Sequence, residues 1–191
     1  MFVPESIMQP MDTNKTYPEL FLKAVNHVLK IEGGYVDDPN DAGGETNYGI
    51  SKRQYPHLNI RLLTLDDAIA LYFRDYWQAY GCGDLPPVIG CFLFDSVVNH
   101  RPKTAIKFLQ CAYRVEVDGV IGDETLGAIR RFANNEDYLT NKLTLSLAYR
   151  ADFYHDLAVE NPSQERFIMG WMRRLFVLQQ FINTEVTHGA D

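Results

Sequence analysis

Long hydrophobic runs are missing: the longest, Val88 to Phe94, stops at Asp95, far short of the ~20 apolar residues that a membrane-crossing helix needs. No membrane span is predicted. The opening residues MFVPESIMQPMDTNK lack the basic patch and following apolar segment of a secretory leader, so the reading is a chain made in the cytoplasm without a recognisable signal peptide. Cysteine is scarce, with Cys82, Cys91 and Cys111 an odd number at no metal-like spacing. Reduced, buried thiols are expected, with neither a disulfide framework nor a metal site. Basic residues are also in deficit. Residues 1–100 hold 7 basic and 13 acidic side chains and residues 101–191 hold 11 and 12, for a net charge of −7. Such a chain has no electrostatic footprint for nucleic acid. A neutral or cationic ligand, or one recognised by shape, fits better.

What is present describes a folded body. At 191 residues with 46% apolar and 13% aromatic side chains, the chain can bury a core without staples, as one domain or as a domain with a closely packed second lobe. Phe21, Ala24, Val25, Val28 and Leu29 recur at three- and four-residue intervals over 17–31, which predicts an amphipathic helix ending at Glu32, before Gly33 and Gly34. Thr64 and Asp67 have capping-box spacing and open a second helix running to Gly81. Pro86 and Pro87 start a third, apolar helix to about Asn99. Further helices are predicted at 102–113, 123–133, 136–159 and 164–186, with Asp123 as a cap. The fold class is mainly α. Residues 1–16 are read as a flexible N-terminal segment, 17–100 as one region and 101–187 as a second packed on it.

The most unusual stretch is IEGGYVDDPNDAGGETNYGIS, residues 31–51, with five carboxylates and no lysine or arginine. Its turn chemistry suits a short hairpin or an extended acidic loop after the first helix. Glu32 sits in the last turn of an apolar helix, where the negative end of the macrodipole disfavours a carboxylate by about 0.3–1 kcal/mol. Partial burial and the nearby Asp37, Asp38, Asp41 and Glu45 act in the same direction. A carboxylic acid that stays protonated near neutral pH is a general acid, and a second carboxylate on a loop completes the pair that cleaves glycosidic bonds. A solvated turn or a calcium loop is the alternative, although the EF-hand order is absent.

Residues 32–50 are similar to phage-type lysozymes, with Asp41 nine after Glu32 and Thr46 five rather than six after that. A wider resemblance rests on EGGYVDDPNDAGGETNYGIS, DYW at 75–77, FDSVVNHRP at 94–102 and VDGVIGDETLGAI at 117–129. Together these resemble the glycoside hydrolase family 108 lysozymes, found among phage endolysins and secretion-associated muramidases. The resemblance implies a lysozyme-like helical fold, Glu32 as catalytic acid, no cofactor, and cleavage of the β-1,4 bond between N-acetylmuramic acid and N-acetylglucosamine of bacterial peptidoglycan. It further implies action in the periplasm or cell wall after holin-type or other non-standard export. Asp41 and Glu45 are the candidates for the second catalytic group, with Asp37 and Asp38 behind them.

Tyr35, Thr46, Asn47, Tyr48, Asn99 and Trp77 are the candidate substrate contacts, each with a structural alternative in a turn or the core. Asp95 and Asn99, four apart on one helix face, either brace the acidic loop or line the cleft. The segment from Val117 to Ile129 resembles the D-G-x-x-G-x-x-T stretch of peptidoglycan-binding modules, though a turn and a helix start explain it equally. A monomer is expected. A lytic transglycosylase and a non-catalytic wall-binding or secretion-accessory protein are the rival readings.

Overall fold

The computed structural model describes residues 16–32 (Glu32 by its main chain), 35–37 and 44–187. The N-terminal segment expected over 1–16 lies almost wholly outside them. Helix α1 (Glu19–Glu32) buries Phe21, Ala24, Val25 and Val28, the stripe that its periodicity prescribes. A two-stranded hairpin follows, β1 (Thr46–Asn47) and β2 (Ile50–Ser51), pairing Thr46 with Ser51 and Asn47 with Ile50. Tyr48 and Gly49 turn it with φ of 52° and 77°, the two positive values that a primed hairpin turn demands.

Helix α2 (Leu65–Tyr72) begins with the expected capping box: Thr64 Oγ1 accepts from the Asp67 amide at 3.1 Å, and Asp67 Oδ2 from the Thr64 amide at 3.0 Å. It then widens into a π-helical turn, Phe73–Gln78, where a uniform helix was expected. The wider turn keeps Phe73 and Trp77 both on the core. There Phe21 meets Phe73 at 4.9 Å, and Trp77 meets Phe21 and Phe94 at 5.5 Å, all edge to face.

Helix α3 (Pro87–Asn99) is buried on all sides from Ile89 to Val97, as an all-round apolar helix must be. Gly90 lets it press on the turn before it, since a Cβ there would collide with the Cys82 carbonyl oxygen. Helices α4 (Pro102–Tyr113), α5 (Asp123–Arg130), α6 (Glu136–Glu160) and α7 (Ile168–Phe181) complete the described body. Asp123 is the first residue inside α5 rather than its cap, which is Gly122 with no side-chain bond.

α3 packs on α1, α4 and α6, and α1 also touches α7. One hydrophobic core runs from Phe21 to Ile182 across the joint at His100–Arg101. The fold is mainly α and lysozyme-like, with the short hairpin after the first helix. Among the described residues no helix is long and apolar enough to cross a membrane. All three cysteines are free; Cys82 and Cys91 are buried, whereas Cys111 is only half-buried, a correction to the expectation for that residue.

Candidate active site

Glu32 is the final residue of α1. The chain beyond it is tied to the stretch leading into the hairpin. Val36 and Thr46 exchange backbone hydrogen bonds of 2.8 Å in both directions, and the Tyr35 hydroxyl donates to Glu45 Oε1 at 2.9 Å. Thus the third residue after the helix end holds the Glu45 carboxylate. The bond to Glu45, then desolvation, then the charges of Glu45 and Asp37, raise the Tyr35 pKa. Tyr35 is 43% exposed and Glu45 half-buried, so both can meet a ligand. Thr46 is half-buried, with its hydroxyl on the Gly44 carbonyl at 3.2 Å. Asp41 and Asp38 lie outside the described residues, and Asp37 is exposed.

Two candidate substrate contacts belong to the scaffold. Trp77 is 3% exposed within the aromatic cluster, so neither face of its indole is open to a sugar ring. Asn47 is 7% exposed, and its Nδ2 donates to the carbonyls of Ile60 and Leu63 at 3.3 and 3.2 Å. It pins the 3₁₀ turn Ile60–Leu62 against the hairpin. Tyr48 serves the turn itself, its carbonyl accepting from the Tyr72 hydroxyl at 3.0 Å.

The Asp95–Asn99 face has a role the sequence did not disclose. Asp95 is buried, and its Oδ1 meets Arg150 Nη1 at 2.6 Å while its Oδ2 meets Arg174 Nη2 at 2.9 Å. Among the described residues it joins α3 to α6 and α7. Burial alone would raise its pKa, but the adjacent charges and hydrogen bonds of Arg174 and Arg150 outweigh that and hold the carboxyl far below its usual range. Asn99, although exposed, caps the same pair: with its amide oxygen turned toward the guanidinium groups, it accepts from Arg150 Nη2 at 3.0 Å and from Arg174. His27 of α1 stacks on Phe181 at 4.4 Å and feels both Asp95 and Arg174, so this charge cluster adjoins the helix that ends in Glu32.

Arg150 and Arg174 were missed in the sequence. The available signal was positional, because Arg150 stands three after Leu147 and four before Tyr154, on the buried stripe of α6. An arginine there must have a partner.

The segment that resembles a wall-binding motif is braced by Gln110. Gln110 Nε2 donates to Asp118 Oδ1 at 2.7 Å, the Val120 carbonyl at 3.0 Å and Thr125 Oγ1 at 3.2 Å, and its Oε1 accepts from the Gly119 amide at 2.8 Å.

Residues 25–100 match the family model described as glycosyl hydrolase 108, and residues 104–176 match one described as a predicted peptidoglycan domain. The solved structure of Brucella abortus SagA is similar to this chain, with 30% identity over 88% of this chain and 97% of that one and a TM-score of 0.67. No curated protein matches. The helix-terminal Glu32, the return that places Glu45 beside Tyr35 and these likenesses agree: the chain belongs to the glycosyl hydrolase 108 family, a glycoside hydrolase of lysozyme type acting on peptidoglycan.

Proposed function

We propose that the protein hydrolyses the β-1,4 bond between N-acetylmuramic acid and N-acetylglucosamine, as a monomer acting in the periplasm or cell wall after non-standard export. Glu32 is the general acid that protonates the glycosidic oxygen as the bond breaks. The observation that carries this reading is its place as the last residue of α1, where the helix dipole disfavours the ionised form. The positive charge that develops on the sugar is met by a loop rich in carboxylates and lacking cations. Glu45 or Asp41 takes the proton from the attacking water. Thr46 and Tyr35 supply hydroxyls, and Asn99 an amide, to the bound glycan.

Digestion of purified sacculi followed by mass spectrometry of the released muropeptides tests the reading. Reducing N-acetylmuramic acid ends are expected, and the folded Glu32→Gln variant should lose activity by about 10²–10⁴-fold, the usual worth of a positioned acid. Reducing N-acetylglucosamine ends would refute the bond assignment. Anhydro-muramic ends would mean that the 6-hydroxyl replaces water, which makes the enzyme a lytic transglycosylase.

A further inference from the structure

A cleft of about 490 Å³ lies between the turn after the π-helical segment and the start of the second half of the chain. Tyr80, Asp84 and Leu85 form one wall, and Lys103, Val120 and Arg130 contribute to the other. Ile106, Ile121 and Leu126 supply an apolar lining. The volume is that of a small-ligand site, and the mixture of apolar lining with a few charged groups is typical of one.

The second wall is rigid. Gly119 has φ of 77°, and a Cβ there would stand 2.9 Å from the Lys103 carbonyl oxygen, so the turn lies flat against α4. Gln110 holds it from behind through the four hydrogen bonds given above. The turn leaves Val120 53% exposed at the cleft, an apolar side chain left in water by a segment that is otherwise tightly bonded. The bonded side chains of the D-G-x-x-G-x-x-T stretch, Asp118 and Thr125, thus hold in place the part of it that lines the cleft, Gly119, Val120 and Ile121.

The charges give the ligand's chemistry. Lys103, Arg130 and Asp84 are exposed, and none makes a side-chain hydrogen bond or ion pair among the described residues. Lys103 acts only through space, on Asp118. Two cations and one carboxylate thus face a single cleft without partners. The glycan of peptidoglycan is uncharged and gives them nothing to pair with. Its stem peptide carries free carboxylates, on the γ-linked glutamyl residue and at the terminus, and in many walls a free amine on the diamino acid. We propose that this cleft binds the stem peptide of peptidoglycan, with its carboxylates on Lys103 and Arg130, its amine on Asp84 and its methyl and methylene groups against Ile106 and Leu126. This inference rests on peptidoglycan being the substrate, and it assigns to the cleft a second contact with that polymer, distinct from the glycan held near Glu32.

The test titrates the full-length protein with the free tetrapeptide L-alanyl-γ-D-glutamyl-diaminopimelyl-D-alanine, followed by calorimetry and amide NMR. The peptide has no glycosidic bond, so the result is independent of hydrolysis, and failure of the hydrolase reading would appear only in the sacculus digest. Saturable binding is expected, with shifts at Gly81, Gly119 and Val120. Reversing the cations in Lys103→Glu/Arg130→Glu should weaken it by about tenfold or more, as loss of complementary charge does. Arg166→Glu, at an exposed cation elsewhere, should bind as the wild type. The milder Lys103→Gln/Arg130→Gln pair serves if circular dichroism finds the reversal misfolded. Absent binding, shifts confined to other residues, or undiminished affinity in the charge variants would overturn the proposal. So would tighter binding of uncharged N-acetylglucosamine oligomers at these same amides.

Discussion

Asp95 on α3 and Arg150 on α6 meet at 2.6 Å with both side chains fully buried, and this pair, with Arg174 on its other oxygen, joins the helix core of the first half to the last two helices. Removing one member of a buried ion pair leaves an uncompensated charge, which costs about 3–5 kcal/mol. Asp95→Asn keeps the shape but leaves two guanidinium groups facing an amide. Urea unfolding should therefore report a loss of that size. A loss under about 1 kcal/mol, the worth of an exposed pair, would contradict this account of the joint.

The same cluster makes stability depend on acid. Arg150 Nε donates to the Tyr154 hydroxyl at 3.1 Å, and that hydroxyl lies 3.1 Å from His100 Nε2. With its oxygen accepting from arginine, Tyr154 donates its proton to a neutral imidazole. Burial, then the Arg150 charge, lowers the His100 pKa to about 3. The unfolded chain, with histidine near 6.5, binds the proton first, so the contribution of His100 is complete above pH ~6.5 and is lost progressively as pH falls from there toward 3. His27 shifts in the same direction through burial. Unfolding free energy measured between pH 7 and 4 should fall, and His100→Leu should flatten that slope; an unchanged slope would show that His100 does not contribute.

Local features were legible in the sequence and long-range ones were not. The stripe Phe21, Ala24, Val25, Val28 and the Thr64–Asp67 capping box are set by neighbours within four residues, and each stands where the pattern put it, as does the short hairpin after the first helix. The partner of Asp95 is 55 residues away, and no periodicity reports a pairing of that kind. Trp77 and Asn47 had the chemistry of sugar contacts, but burial decides their use, and burial depends on what α1, α3 and the 3₁₀ turn bring against them. The end of α1 at Glu32 was legible because Gly33 and Gly34 follow it in the sequence. The Tyr35–Glu45 bond was not, because it needs the return of the chain.

Thiol chemistry follows the burial pattern. Burial pushes the Cys91 thiol up to about 12 and Cys82 higher still, while Cys111 is raised by its partial burial. A thiol needs its ionised form and access to react. Ellman's reagent should label native protein only at Cys111, with Cys82 and Cys91 appearing after denaturation, and dithiothreitol should leave activity unchanged. Rapid reaction of Cys82 or Cys91 in the native state would contradict their placement.

Asn47 separates scaffold from substrate contact. Asn47→Ala leaves the Leu63 carbonyl without its donor, while the Ile60 carbonyl keeps the Leu63 amide, and an unsatisfied buried group costs about 1–3 kcal/mol. Stability should fall by that amount while KM for sacculi stays the same. A raised KM with unaltered stability would return Asn47 to the substrate.

The second catalytic group is tested through Tyr35. A hydrolase that inverts holds a water between two carboxyl groups about 6.5–9.5 Å apart, and a positioned base contributes about 10² or more to the rate. Asp41 and Glu45 follow Glu32 by nine and thirteen residues in the sequence, and among the described residues Glu45 has a restraint, the 2.9 Å bond from the Tyr35 hydroxyl. One of Glu45→Gln and Asp41→Asn should therefore lose at least about 10² in kcat, with the newly formed reducing end in inverted configuration by NMR. Tyr35→Phe tells which. If Glu45 is the base, loss of the hydroxyl frees its carboxylate to leave the water, and kcat falls severalfold with folding intact. If Asp41 is the base, Tyr35→Phe changes KM at most, since its ring still faces solvent where glycan would lie. Full activity in both carboxyl variants, together with anhydro-muramic products, would remove the base from the mechanism and leave Glu32 acting alone.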